Sequence, residues 1–173
     1  IEMDRKRNPW SIGMLTLFPE MFPGPLGFSL AGRALDEKLW DLNIYDIRRF
    51  CEKSAEVDSS PFGGGNGMVM RADVIDRVLS TVTQDPNYAQ LPVVYMTPRG
   101  TPLTQEKVKI FSQGDGAIIL CGRYEGVDER AVAEWGMEEI SVGDYVLSGG
   151  EIPAISIING LTRFCLLYTS DAA

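Results

Sequence analysis

Residues Leu120–Gly150 read LCGRYEGVDERAVAEWGMEEISVGDYVLSGG and combine strand, helix and glycine-turn patterns within about thirty positions. Two short apolar runs, Ala117–Cys121 and Glu139–Val142, have the aliphatic and β-branched composition of buried strands. Between them, Val127–Trp135 carries apolar residues at helical spacing, with acidic residues in its first turn. This order of a strand, a helix and a second strand predicts one α/β unit.

A glycine-rich turn follows each of these strands, at Gly122–Gly126 and at Gly143–Gly150. In open α/β sheets, ligands bind to the loops at the carboxyl ends of the strands. Glycine lets the main chain approach a ligand closely, although a tight turn alone would explain any one of these glycines. The two loops together predict a pocket whose floor is formed by backbone atoms.

The rest of the chain continues the alternation of strands and helices. Further strands are predicted at Trp10–Phe18, Asn43–Ile47 and Pro92–Met96, and helices at Leu30–Leu39, Ala72–Val82, Gln105–Ser112 and Gly150–Thr162. Thr97–Gly100 is predicted to be a turn, and the glycine cluster of Ser60–Gly67 a mobile loop or a site of close backbone approach. The predicted fold is an α/β domain with a mostly parallel sheet flanked by helices.

Composition excludes several classes of function. The chain has 173 residues, a net charge of −8, three cysteines without a CxxC pair, and no histidine. The negative net charge argues against an extended basic surface that binds nucleic acid, but it does not exclude a local basic patch. The missing histidine removes Ser–His–Asp catalysis, and the cysteine spacing favours free thiols in the cytoplasm over a disulfide framework or a zinc site. No apolar run is long enough to cross a membrane.

The loops also lack a phosphate cradle. Neither GxxxxGK[ST] nor GxGxxG follows a predicted strand, so kinase, GTPase and ordinary dinucleotide-binding functions are disfavoured. A backbone-lined pocket of this kind suits a ligand with adenine and ribose but without phosphate. Tyr124, with Arg123 and Glu125 on either side, is a candidate for stacking on a nucleobase whose edge the charged neighbours read.

Five motifs occur in one order and closely resemble the bacterial tRNA (guanine-N1)-methyltransferases of the SPOUT class. They are LFPEMF (Leu17–Phe22), PFGGGNGMVM (Pro61–Met70), YMTPRG (Tyr95–Gly100), LCGRYEGVDER (Leu120–Arg130) and SVGDYVLSGGEIPA (Ser141–Ala154). The resemblance implies a trefoil knot that binds S-adenosyl-L-methionine, and a homodimer with active sites between the subunits. It implies methylation of tRNA at N1 of the guanine on the 3′ side of the anticodon, and an association with Mg2+.

The resemblance also assigns residues. The implied cofactor-binding positions are Tyr95, Met96, Thr97, Pro98, Gly122, Tyr124, Glu125, Val142, Gly143, Asp144, Tyr145, Val146, Leu147, Gly149, Gly150 and Pro153. Arg163 matches the arginine that contacts the target guanine, where it could stabilise charge that develops as N1 loses its proton. A last-turn arginine favoured by the helix dipole is the structural alternative for Arg163.

The end of the chain departs from the family pattern. After Phe164 the sequence reads CLLYTSDAA, which resembles a translated sequencing adapter, so residues 165–173 are expected to be a non-native tail. The expected organisation is a ragged end at 1–9, a methyltransferase domain at 10–164, and no C-terminal tRNA-binding domain. The aspartate that serves the family as general base has no counterpart here. We therefore expect the chain to be inactive, and the alternative is a non-catalytic RNA- or nucleotide-binding module with the same fold.

Overall fold

The structure is a computed structural model that describes residues 8–52, 57–59 and 67–167. The predictions for residues 1–7 of the ragged end, for most of the Ser60–Gly67 glycine loop and for residues 168–173 of the tail lie outside the described residues. Within the described part of the chain, no helix is both long and apolar enough to cross a membrane.

Strands and helices alternate along most of the described chain. The strands are β1 (Trp10–Thr16), β2 (Trp40–Asp46), β3 (Asp58–Ser59), β4 (Val69–Met70), β5 (Val93–Pro102), β6 (Gly116–Cys121) and β7 (Glu138–Ser141). The helices are α1 (Ser29–Asp36), α2 (Ala72–Val82), α3 (Gln105–Ser112), α4 (Glu129–Glu134) and α5 (Glu151–Leu167). Short 3-10 helices occupy Pro19–Met21, Gly24–Gly27 and Ile47–Phe50.

Five strands form one parallel sheet in the order β2-β1-β6-β5-β7, and β3 and β4 form a separate antiparallel pair. The central strand, β6, is buried at every position, as expected for a parallel strand covered on both faces. The predicted α/β fold with a mostly parallel sheet is confirmed.

Each face of the sheet packs against its own set of helices. Ile119 belongs to the cluster that includes Ile158 of α5, whereas its neighbour Ile118 belongs to the cluster that includes Ile75 and Leu79 of α2. Successive side chains of a strand point to opposite faces, so one continuous apolar run supplies both cores. This packing fixes the carboxyl ends of β5, β6 and β7 beside one another.

Strand β5 is longer than predicted, and the expected Thr97–Gly100 turn is an irregularity within it. Met96 and Thr101 both pair with Ile140 of β7, so the four residues between them leave the ladder. A Cβ atom on Gly100 would lie 2.4 Å from the backbone nitrogen of Ile140. Glycine therefore lets the strand return directly to its partner after the irregular segment.

Three helices have boundaries that differ from the sequence prediction. Helix α1 spans Ser29–Asp36 rather than Leu30–Leu39, and Lys38 beyond its end has a left-handed φ of +59°. Helix α4 begins at Glu129 rather than Val127, because Val127 pairs with Met70 in a β-bridge and Asp128 caps the helix, its carboxylate accepting from the Arg130 amide. Helix α5 extends to Leu167 and contains Pro153 in its first turn, where no intrahelical amide bond is lost.

Candidate functional site

Three loops that follow neighbouring strands enclose one cavity of about 270 Å³. We call Thr97–Gly100 the first loop, Gly122–Gly126 the second loop and Val142–Gly149 the third loop. They lie at the carboxyl ends of the β5 ladder, β6 and β7, which is the edge where α/β sheets bind ligands. The volume lies close to the lower end of the range for small-molecule sites.

Nearly all the predicted cofactor-binding residues line this cavity. They are Tyr95, Met96, Thr97, Pro98, Gly122, Tyr124, Glu125, Val142, Gly143, Tyr145, Val146, Leu147, Gly149, Gly150 and Pro153. Asp144 is exposed and is not among the lining residues. The predicted cofactor-binding positions do not include Arg99, Gly126, Ile140, Ser141 and Ser148, although each lies within two positions of a predicted residue. Arg123, which was predicted to read a base edge, also lines the cavity.

Arg163 lies outside the cavity of its own chain. It is an exposed residue of α5, ten positions beyond the lining residue Pro153. At a rise of 1.5 Å per residue, the two positions are about 15 Å apart along the helix axis. Arg163 and the cavity are therefore separate features of a single chain.

The second loop is held against the segment that follows the glycine cluster. The amide of Glu125 donates to the Met68 carbonyl at 2.9 Å, and the amide of Met70 donates to the Gly126 carbonyl at 2.9 Å. Tyr124 has a φ of +58°, a left-handed conformation that is uncommon for a residue with a side chain. These bonds support that conformation, and the Tyr124 ring is 55% exposed at the rim of the cavity.

The Tyr95 side chain packs beneath the second loop. Its hydroxyl oxygen accepts a hydrogen bond from the Val127 amide at 3.1 Å, and burial raises the pKa of the phenol. A Cβ atom on Gly122 would lie 2.7 Å from Cε2 of Tyr95, and one on Gly126 would lie 2.9 Å from its Oη. The two glycines are thus required for the ring to fit under the loop.

The third loop keeps most of its backbone donors free. At its start, the Ser141 hydroxyl accepts from the Gly143 amide at 3.2 Å and donates to the Gly143 carbonyl at 2.9 Å. Among the described residues, the amides from Tyr145 to Gly149 have no protein acceptor. Backbone N–H groups that have no protein acceptor can donate hydrogen bonds to a ligand, so these amides are suited to bind a polar ligand in the cavity.

Arg123 does not project beside Tyr124 as the sequence argument expected. Its Nη2 lies 3.0 Å from a carboxylate oxygen of Glu151, and its guanidinium carbon lies 4.3 Å above the centre of the Phe18 ring. The prediction that Arg123 reads a base edge next to Tyr124 is therefore not supported by the position of its guanidinium. Burial and the negative charge of Glu151 raise the pKa of the nearby Cys121 thiol well above its usual range.

Comparison with known proteins agrees with this geometry. A model of the family described as tRNA (Guanine-1)-methyltransferase TrmD matches residues 10–167, which include every loop of the cavity. The chain belongs to this family. The resemblance inferred from the five sequence motifs is thereby confirmed.

Relatives of the tRNA (guanine-1)-methyltransferase family include proteins from Zymomonas mobilis and Brucella ovis, both named tRNA (guanine-N(1)-)-methyltransferase. The first is 51% identical over 157 residues and the second 55% identical over 161 residues. These alignments cover 90% and 92% of this chain but only 62% and 65% of the two relatives. The chain therefore spans less than two thirds of their length.

A solved structure gives the same result for the fold. The tRNA (m1G37) methyltransferase of Aquifex aeolicus superposes with a TM-score of 0.81 at 36% sequence identity. The superposition covers 90% of this chain and 70% of that protein. The fold of this chain is thus shared with a solved tRNA (m1G37) methyltransferase.

Proposed function

We propose that the protein transfers a methyl group from S-adenosyl-L-methionine to N1 of the guanine on the 3′ side of the anticodon in tRNA. The observation that carries this proposal is the convergence of three family motifs on one cavity. Both named relatives are tRNA (guanine-N(1)-)-methyltransferases.

The residues around the cavity fit this methyl donor. Aliphatic and aromatic groups such as Leu147, Pro153 and Tyr124 offer apolar surface to an adenine ring. The free amides of the third loop offer donors to its nitrogens and to ribose hydroxyls, and the Glu125 carboxylate offers an acceptor to the amino group of the methionine part. When bound, the donor supplies a methyl group on a positively charged sulfur, and the protein's task is to orient it for in-line displacement.

We propose that the protein acts as a homodimer, because Arg163 lies too far from the cavity of its own chain to face a target base there. In a dimer, Arg163 of the partner subunit would approach the cavity. Its guanidinium would donate hydrogen bonds to guanine O6 and stabilise the negative charge that develops as N1 loses its proton. No residue of the described chain is assigned as the general base.

We also propose a domain organisation and a cellular location for the chain. We infer that residues 10–164 form the methyltransferase domain, that its three loops belong to a trefoil knot, and that it works in the cytoplasm, where tRNA is modified. The described residues contain no group of three or more His, Cys, Asp or Glu side chains that could hold a metal ion. A protein-built Mg2+ cage does not fit this part of the chain, so no step is assigned to Mg2+.

Titration calorimetry of the 173-residue chain with S-adenosyl-L-methionine tests the donor assignment. We expect one donor bound per chain and no binding of ATP, because the loops lack a phosphate cradle. A folded protein that releases no heat with the donor would overturn the assignment.

Transfer of a labelled methyl group to tRNA tests the second half of the proposal. For the 173-residue chain, in which no residue is assigned as the general base, we expect donor binding without transfer. In a form of the protein that carries the general base, we expect incorporation into tRNA with guanine at the target position and none into the same tRNA with adenine there. Binding of donor and tRNA without any transfer by that form would support the alternative, a non-catalytic module with the same fold.

A further inference from the structure

We propose that the buried ion pair of Arg123 and Glu151 is a positioning device that sets the third loop over the second loop for donor binding. This inference rests on the proposed function, because it concerns affinity for the methyl donor. Glu151 is the first residue of α5 and does not line the cavity, so it would act through other residues.

The ion pair is connected to the end of β1 as well as to the two loops. The Thr16 hydroxyl, fully buried, donates to Oε1 of Glu151 at 2.9 Å and accepts from the Phe18 amide at 3.0 Å. Phe18 in turn lies beneath the guanidinium of Arg123. One buried carboxylate therefore joins β1, the second loop and the start of α5.

The third loop is anchored at its far end by the same arginine. Nη1 of Arg123 donates to the Ser148 carbonyl at 3.1 Å. A Cβ atom on Gly149 would lie 2.3 Å from Nε of Arg123 and 2.6 Å from Oε2 of Glu151, so the pair occupies the space directly beside that residue. The position of the free amides between Tyr145 and Gly149 depends on this anchor.

The burial of the pair argues for a role in geometry. The Glu151 side chain is 1% exposed and that of Arg123 18%. The 3.0 Å contact of Nη2 with Oε2 is an ion pair without hydrogen-bond geometry, and Nε of Arg123 has no hydrogen-bond partner within the described chain. Well-packed apolar residues in place of such a pair are often neutral or stabilising. The ion pair is thus a poor source of stability, while the hydrogen bonds of Arg123 to Ser148 and of Thr16 to Glu151 hold the two loops in one arrangement.

The decisive variant is the double substitution Arg123→Met with Glu151→Leu, which replaces the pair with apolar side chains. We expect a melting temperature equal to or above that of the wild type and a Kd for S-adenosyl-L-methionine raised at least tenfold. Preserved stability with a Kd within twofold of the wild type would refute the positioning role.

A second variant keeps the test decisive if the double variant does not fold. Thr16→Val removes only the hydroxyl that orients Glu151, and Thr16 does not line the cavity. The matched control is Thr162→Val, a buried threonine of α5 whose hydroxyl donates to the Asn159 carbonyl within the helix. We expect Thr16→Val to raise the donor Kd threefold or more and Thr162→Val to leave it unchanged. Equal Kd values for the two variants would refute the inference.

Failure of the inference is separable from failure of the proposed function. If the wild-type chain does not bind S-adenosyl-L-methionine, the donor assignment is wrong and the ion pair has no donor site to position. If the wild type binds it and both sets of variants bind equally well, the donor assignment stands and the positioning role is wrong.

Discussion

The amide nitrogen of Gly150 donates a 2.9 Å hydrogen bond to the carbonyl oxygen of Gly122. The bond joins the residue that follows the third loop to the first residue of the second loop, although 28 positions separate the two glycines in the sequence. A Cβ atom on Gly150 would lie 2.9 Å from Cα of Cys121 and 3.0 Å from the Gly122 nitrogen. The cavity therefore depends on a contact between backbones that no side chain can replace.

Gly150→Ala is expected to weaken donor binding at least tenfold and to destabilise the fold by about 1–3 kcal/mol, because backbone atoms must move to admit the methyl group. Calorimetry and thermal unfolding measure the two effects. The control is Gly160→Ala in α5, the helix that follows Gly150, where a Cβ atom would meet only Val108 at 3.4 Å. Alanine at position 160 should be neutral or stabilise by up to about 1 kcal/mol; equal behaviour of the two variants would contradict the close approach.

Tyr124→Ala is expected to raise the donor Kd fivefold or more, since stacking of an aromatic ring on a base contributes about 1–3 kcal/mol. Tyr124→Gly should lose the same affinity while it relieves the backbone, which has a φ of +58°. Calorimetric titration of both variants distinguishes a lost ring from a disturbed loop. Unchanged affinity in both would exclude stacking by Tyr124.

Arg163→Ala is expected to leave the donor Kd within twofold of the wild type, because Arg163 does not line the cavity. In a form of the protein that methylates tRNA, we expect the same substitution to lower kcat at least a hundredfold through lost stabilisation of the guanine oxyanion. Binding and single-turnover measurements on the same preparation separate the two effects. A large loss of donor affinity would contradict the assigned role.

Tyr95→Phe is expected to destabilise the protein by about 1–3 kcal/mol, because the Val127 amide would lose its buried acceptor. Tyr145→Phe is a suitable control, since Tyr145 is 55% exposed at the rim of the cavity. Urea unfolding at neutral pH measures the difference. Equal stabilities would show that the Val127 amide finds another partner.

The raised pKa of Tyr95 also predicts a pH dependence. Its contribution to stability is complete below the unfolded value of about 10 and is lost as pH rises toward the folded value, because the unfolded phenol ionises first. Unfolding free energies should therefore fall less steeply above pH 10 in Tyr95→Phe than in the wild type. An identical alkaline slope would exclude a contribution from this phenol.

Asp128→Ala is expected to destabilise the protein by about 1 kcal/mol through loss of the α4 cap, whereas Asp128→Asn should retain most of it. Hydrogen bonds from Arg130 hold the pKa of Asp128 below its ordinary value. Stability from the charged form is therefore present above the unfolded pKa of about 3.9 and is lost as pH falls through the folded value. Thermal unfolding from pH 7 to pH 2 should show the wild type losing its advantage over Asp128→Asn.

Local patterns were sufficient for much of the fold. Helices α2 and α3 begin and end where the sequence predicts, since Ala72–Val82 is strongly amphipathic and Thr104 caps Gln105–Ser112 through the Lys107 amide. The α4 boundary was wrong, because Val127 is taken into a β-bridge with Met70. A pattern of ten residues carries no information about a pairing partner that lies more than fifty positions away in the sequence.

Some features of the cavity could likewise be predicted from the sequence, and others only the structure shows. The glycine-rich turns predicted two of the three loops, because short-range chemistry places a turn after each buried strand. The family resemblance carried by the motifs then identified 15 of the 21 lining residues. The sequence could not reveal that Arg123 faces Glu151 instead of a base, nor that Arg163 lies outside the cavity.

By itself, then, the sequence determined the parallel α/β sheet, the family and the three loops, since each can be recognised from residues that lie close together along the chain. Only the tertiary structure decided which backbone groups stay free and which charges pair. Those outcomes depend on contacts such as Thr16 with Glu151, 135 positions apart, which packing of the sheet brings together.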